Sequence, residues 1–180
     1  MFNPWRDIAP GLHAPDEVTA IIEIPKGSRN KYELDKATGI FRLDRVLYSA
    51  VHYPGDYGFI PRTLHEDNDP LDIIVRIDEP TFPGCQITAR PIGVLKLLDR
   101  GEPDDKILAV PSHDPLHREY FDIADLPNHY LAEIEHFFQI YKDLEGKRVQ
   151  IVGWEKSEVA LRVIQDSIVR YAEHYPNSAR

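Results

Sequence analysis

The 180-residue chain is poor in sulfur, with one cysteine, Cys85, and one methionine, Met1. A lone thiol excludes an intrachain disulfide, a Cys-x-x-Cys redox pair and a cysteine-rich zinc site. Positive charge is also scarce: 21 Lys and Arg face 30 Asp and Glu, for a net charge of −9. That balance excludes the broad basic face a nucleic-acid backbone binder needs. No apolar run approaches the length of a membrane span. The N-terminus, Met1-Phe2-Asn3-Pro4-Trp5-Arg6-Asp7, has no basic-then-apolar leader pattern. With a lone thiol and no leader, a reducing cytoplasm is the expected compartment. Gly-x-Gly-x-x-Gly, Walker-type and Gly-x-Ser-x-Gly loops are missing, which removes the common nucleotide and serine-hydrolase signatures. No repeat, low-complexity tract or Ser/Gly-rich linker divides the chain, so residues 1–180 read as a single domain able to bury a sizeable core.

What is present reads as strands first and helices last. Val18–Ile24 is an apolar strand with Glu23 near its end. Tyr32–Leu34 and Ile40–Leu43 flank a turn at Lys36-Ala37-Thr38-Gly39. Leu71–Ile77, Gln86–Arg90, Ile92–Leu97, Lys106–Val110 and Arg148–Trp154 follow as strands, with Pro91 marking an edge or a bulge. Tyr53-Pro54-Gly55-Asp56-Tyr57-Gly58 reads as a turn-rich lead-in. Helix periodicity runs from about Asn128 to Glu145, with Leu131, Ile134, Phe138, Tyr141 and Leu144 on one stripe and Gly146 as a stop. A second helix runs from about Ser157 to His174. The expected architecture is α+β, a barrel packed on one side by helices.

The chain is organised around Glu66-Asp67-Asn68-Asp69-Pro70-Leu71-Asp72, with three aspartates in six positions. Carboxylates packed so closely raise the cost of ionising one another. A buried loop tolerates them if cations sit among them, and hard cations such as Mg²⁺ prefer such oxygen ligands. A solvated, Pro70-capped turn is the bland reading. An EF-hand is excluded, because the fifth and sixth positions counted from Asp67 hold Leu71 and Asp72 instead of an oxygen ligand and glycine. An aspartyl-phosphatase order is excluded too, because the apolar strand follows the acids instead of preceding them.

A second acid group, Asp99-Arg100-Gly101-Glu102-Pro103-Asp104-Asp105, also sits between two strands, where sites commonly lie. Glu23 stands inside an apolar strand, either facing out or serving as a ligand. Lys31, Arg45, Lys106 and Lys142 lie near element ends. Cations beside acid clusters in an acidic protein point to a polyanionic ligand, which Arg grips with two donors and Lys as a point charge. The eight histidines show no metal spacing; His113 and His117 are separated by Pro115, and His129 and His136 read as surface or subunit contact.

Together these stretches resemble the soluble family I inorganic pyrophosphatases. Asp67-Asn68-Asp69-Pro70-Leu71-Asp72-Ile73 is similar to that family's Asp-x-Asp-Pro-apolar-Asp-apolar signature. Glu23-Ile24-Pro25, Lys31-Tyr32-Glu33, Asp44-Arg45, Tyr53-Pro54 with Tyr57-Gly58, Arg90-Pro91-Ile92-Gly93 and Gly153-Trp154-Glu155 resemble further landmarks in the expected order. So do Asp99 with Asp104 and Lys106, and His136-Phe137-Phe138 leading to Tyr141-Lys142. The likeness covers a core of about residues 15–165.

The resemblance implies a closed β-barrel of the oligonucleotide-binding type with flanking C-terminal helices. It implies several Mg²⁺ ions on Asp67, Asp72, Asp99 and Asp104, with Glu23 and Glu33 serving an outer ion. Pyrophosphate would be gripped by Lys31, Arg45, Tyr57, Lys106, Tyr141 and Lys142 and split into two phosphates by a metal-activated water. Asp69 is implied as the general base, with Asp104 the competing candidate. Bacterial relatives suggest a homo-oligomer, a hexamer. Many members carry an acid where this chain has Arg100, whose charge either weakens an adjacent metal or reaches a phosphate. Two other readings are a catalytically inactive homologue and a barrel that binds nucleic acid; net charge −9 and the acid-lined loops oppose the latter.

Overall fold

The computed structural model describes residues 2–176. After a short helix α1 (Pro4–Asp7) come β1 (Val18–Ile24), β2 (Asn30–Asp35), β3 (Ile40–Val46), β4 (Asp56–Phe59) and β5 (Asp72–Val75). Then follow β6 (Gln86–Asp99), β7 (Glu102–Pro103) and β8 (Lys106–Pro111). Helix α2 (Asn128–Ile140), β9 (Val149–Lys156) and α3 (Ser157–His174) complete the chain, with single 3₁₀ turns at Ile123–Asp125 and Asp143–Glu145.

The α+β order and the C-terminal helices match the expectation; the closed barrel does not. The main sheet has seven strands in hydrogen-bonded order β1-β4-β5-β8-β6-β7, and β9 pairs with β6 off this path. β1 also meets the first residues of β6, from Val18↔Ala89 to Ile21↔Gln86. The 14-residue β6 therefore takes different partners along its length, and β7 and β9 each pair with β6 alone among the described strands, leaving open edges. β1, β4, β5, β8 and β6 return to β1 through the β1–β6 pairing, but β7 and β9 branch off, so the seven-stranded sheet as a whole is not a closed barrel. The β2–β3 hairpin stands apart as a two-stranded sheet.

The alternation of side chains along the strands separates two of the three core clusters, the third being Trp5, Ile21, Leu34, Phe59, Leu64 and Tyr171. Ile74 and Leu108 join Tyr53, Tyr57, Phe137 and Phe138 on the α2 side. Ile73, Val75 and Ile107 join Ile22, Ala160 and Ile164 on the α3 side. The central strand β5 is thus apolar on both faces, as its unbroken Ile73-Ile74-Val75 run requires. Each helix covers its own cluster, which corrects the expectation of helices on one side.

Smaller corrections concern single elements. The two strands expected around Pro91 are one strand, whose register shifts between Pro91 and Gly93 against β8, so the proline marks a bulge. The turn-rich reading of residues 53–58 misses β4. There Gly58 runs so close to β1 that a Cβ would sit 1.8 Å from the Ile21 carbonyl oxygen. Helix α2 ends at Ile140 rather than Glu145, and Leu144, placed on the apolar stripe, is 68% exposed. Among the described residues no helix is long and apolar enough to cross a membrane.

Candidate active site

Parallel pairing of β5 with β8, Asp72↔Lys106 to Val75↔Ala109, brings both acid loops to one end of the sheet. The loop before β5 carries Asp67 and Asp69; the connection from β6 to β8 carries Asp99 and Asp104. The hairpin adds Lys31 opposite Arg45, with Glu33 two residues on. β1 adds Glu23 and β4 adds Tyr57. Tyr141 and Lys142 arrive where α2 stops. All thirteen of these sequence-selected residues line one cavity of about 410 Å³.

Inside it the charges are interlocked. Lys106, 2% exposed, donates to both Asp72 and Asp104. Burial alone would depress its ammonium, but the two carboxylates outweigh that and hold it above its ordinary range. Tyr57 Oη donates to Asp72 Oδ2 at 2.5 Å. Lys142 Nζ donates to Asp99 Oδ2 at 2.7 Å, and Lys31 to Glu33. Arg45 donates through Nε to Glu145 Oε1 at 2.8 Å and through Nη1 to Asp44 at 2.5 Å.

The acids answer differently to this setting. Burial pushes Glu23 up to about 8, although Leu34 N–H donates to its Oε1 at 2.7 Å. Burial pushes Asp67 up to about 6, with Asp72 and Asp104 adding to the rise. Asp72 is raised by burial and by Asp104 despite Lys106. Asp104 moves the other way: burial opposes its charge, but Lys106 prevails and holds it below the usual carboxylate range. Asp69 is more open, at 61% side-chain exposure, and pairs with Lys36. Burial raises the Tyr57 and Tyr141 phenols well above their ordinary value.

Several lining groups carried no usable sequence signal. Lys36 sits in the hairpin turn and reaches Asp69 across 33 residues. Lys147 also lines the cavity, and Glu145 joins it to Arg45. Arg100 lines the rim at a left-handed φ of 55°, beside Asp99. Asn68, at φ 67°, turns the acid loop; asparagine is among the residues that tolerate this conformation best.

The donor set suits a hard divalent cation: carboxylate oxygens throughout, three of them raised by burial, and one, Asp99 Oδ1, buried with no hydrogen-bond partner. Glu33, Asp69, Asp72, Asp99 and Asp104 accept from ammonium groups, Glu23 and Asp67 from backbone N–H groups, and among the described residues no three His, Cys, Asp or Glu side chains meet in a metal-holding group.

A sheet-end cavity lined mostly by interleaved carboxylates and fixed cations, with Leu34, Phe59 and Pro70 as its apolar part, defines a centre for handling a small polyanion. Comparison with known proteins narrows this. The model of the family "Inorganic pyrophosphatase" matches residues 20–172. "Soluble inorganic pyrophosphatase 2" of Chlamydomonas reinhardtii is 51% identical over 173 residues, covering 96% of this chain and 90% of that protein. "Inorganic pyrophosphatase" of Haloferax volcanii is 48% identical over 176 residues, covering 97% and 99%. The crystal structure of inorganic pyrophosphatase from Thermus thermophilus superposes with a TM-score of 0.90 at 42% identity, over 93% of this chain and 98% of that one. The chain belongs to the inorganic pyrophosphatase family.

Proposed function

We propose that this protein is a Mg²⁺-dependent inorganic diphosphatase that hydrolyses pyrophosphate to two phosphates. One observation carries the reading: Lys106 is buried between Asp72 and Asp104 in a cavity whose other walls alternate acid and base. Pyrophosphate is small, densely charged and without an apolar handle, so its binding calls for fixed charges of both signs.

In this reading Asp67, Asp72, Asp99 and Asp104 hold Mg²⁺ and Glu23 with Glu33 serves an outer ion. Bound Mg²⁺ neutralises phosphate oxygens and makes water a better nucleophile near neutral pH. Lys31, Arg45, Lys106, Tyr57, Tyr141 and Lys142 orient the substrate, and the cations among them offset the charge that builds on the leaving phosphate. Asp69 takes the proton of the attacking water. Two features favour it over Asp104: it is the more exposed of the two in the cavity, and Lys106 holds Asp104 below the usual carboxylate range, which makes it a weaker proton acceptor. Several relatives are named soluble inorganic pyrophosphatases, and the reading places this one in the cytoplasm as a single-domain homo-oligomer, a hexamer, acting without nucleic acid or membrane.

Phosphate release from pyrophosphate, measured with Mg²⁺ and again with excess chelator, tests it. Activity that stops on chelation supports the reading. No release with Mg²⁺ would mark an inactive homologue, and full activity in chelator would remove the metal from the mechanism.

A further inference from the structure

The proposed chemistry leaves a buried polar cluster next in sequence to the cavity residues unused. His65, Asp105 and Lys96 meet there, and the side chains of His65 and Asp105 are each 5% exposed. Lys96, reaching over from β6, donates through Nζ to Asp105 Oδ2 at 2.5 Å. His65 Nε2 accepts the Asp105 backbone N–H at 3.4 Å and lies 3.7 Å from Asp105 Oδ2. With Nε2 an acceptor, the ring is neutral and carries its proton on Nδ1. His65 also ties the first acid loop to itself: its N–H donates to the Asp69 carbonyl at 2.8 Å, and its own carbonyl accepts from Asn68 N–H at 3.1 Å.

We propose that His65, Asp105 and Lys96 are positioning residues that set the spacing between the loop bearing Asp67, Asp69 and Asp72 and the segment bearing Asp104 and Lys106. The inference rests on the Mg²⁺ diphosphatase reading above. A buried carboxylate needs its counter-charge, and losing one partner of such a pair is strongly destabilising. Moving either segment alone would part Asp105 from Lys96 or strip its N–H of His65. The two segments therefore shift together or not at all. Asp67 and Asp72 on one side and Asp104 on the other would then offer a bound Mg²⁺ a preset gap, with no need to draw two loose loops together. Losing a group that holds metal ligands in place commonly costs about 10–100-fold in metal affinity or activity.

The experiment titrates Mg²⁺ into the metal-stripped full chain by calorimetry, with pyrophosphate turnover and metal-free melting followed in parallel. His65→Ala and Lys96→Met are expected to weaken Mg²⁺ binding about tenfold, with kcat at saturating Mg²⁺ within about twofold of wild type. His65→Gln, whose side-chain carbonyl can accept the Asp105 N–H, is expected to recover most of the affinity. Should His65→Ala not fold, Lys96→Met and His65→Gln carry the test, because Lys96 is a third exposed. An active wild type whose variants melt early yet bind Mg²⁺ normally overturns the positioning role and leaves the diphosphatase reading standing. A wild type that does not turn over pyrophosphate with Mg²⁺ overturns both.

Discussion

Arg45 and Glu145, one hundred residues apart, are joined by a single hydrogen bond from Nε to Oε1 at 2.8 Å. Glu145 accepts Lys147 Nζ through its other oxygen at 3.0 Å, and its side chain is only 5% exposed. It therefore aims two cations at the cavity. Hydrogen bonds to charged groups contribute roughly 1.5–3 kcal/mol. Glu145→Gln keeps the shape and loses the charge. We expect KM for pyrophosphate to rise about tenfold, the equivalent of the lower end of that range, with a smaller change in kcat. Steady-state kinetics at fixed Mg²⁺ give the answer; an unchanged KM means Arg45 needs no such support.

Replacing Lys106 removes the shared partner of two buried carboxylates. Lys106→Met is expected to cost about 3–5 kcal/mol in chelator, the range for a buried ion pair stripped of one member. Added Mg²⁺ is expected to return part of that stability, since a bound cation again offsets Asp72 and Asp104 and favours the folded state by mass action. Urea unfolding with and without Mg²⁺ checks both statements. A Lys106→Met protein as stable as wild type in chelator would show that the two acids tolerate each other unaided.

Asp69 and Asp67 share a loop but not a role. Asp69→Asn is expected to lower kcat by about 10²–10⁴, the usual worth of a general base, with no recovery at high Mg²⁺. Asp67→Asn is expected to weaken the metal, so that extra Mg²⁺ restores part of the rate. Rate titrations with Mg²⁺ separate the two; rescue of the Asp69 variant alone would reverse the assignments. An unrescued loss in Asp104→Asn beside a mild Asp69→Asn would make Asp104 the base.

Asp122 caps two elements at once. Its Oδ1 accepts Ala124 N–H at 3.1 Å and its Oδ2 accepts Ser157 N–H at 3.0 Å, filling one of the open donors at the start of α3. Burial would raise its carboxyl, but these donors prevail and hold it below the usual range. A lowered folded-state value means the stabilisation is full above the unfolded value of about 3.9 and fades as pH falls through the folded one. Asp122→Ala is expected to cost roughly 1 kcal/mol at neutral pH, and the difference from wild type should shrink below about pH 3.9. Thermal melts across pH 2–7 test this; a gap that stays constant to the lowest pH is the contrary result.

How far the sequence could be read follows from how local each signal was. The apolar run Leu71–Ile77 announced a core strand, and the structure trims it to Asp72–Val75. β4 was hidden because Tyr53-Pro54-Gly55 reads as punctuation, while the reason for the strand, the close approach of Gly58 to Ile21, involves a distant segment. Barrel closure depended on how β6 shares its length among four partners, which no local pattern encodes. Carboxylates crowded between strands betrayed the site because their cost is written in the sequence. Lys36, Lys147 and Glu145 gave no such sign: an exposed turn lysine and a charged helix end look alike whether or not they meet a distant partner.

β5 and β8 are the one parallel pair among the described strands, and Asp72↔Lys106 is the first step of their register. Thirty-four residues separate that pair. Parallel neighbours need a long crossover, and contacts so distant along the chain repay their loop-closure cost late in folding. Lys106 meets Asp72 only once β6 and β7 have been laid between them in sequence. The apparatus that handles phosphate is thus a long-range product of the whole sheet: neither the helices nor the β2–β3 hairpin alone sets Lys106 against Asp72.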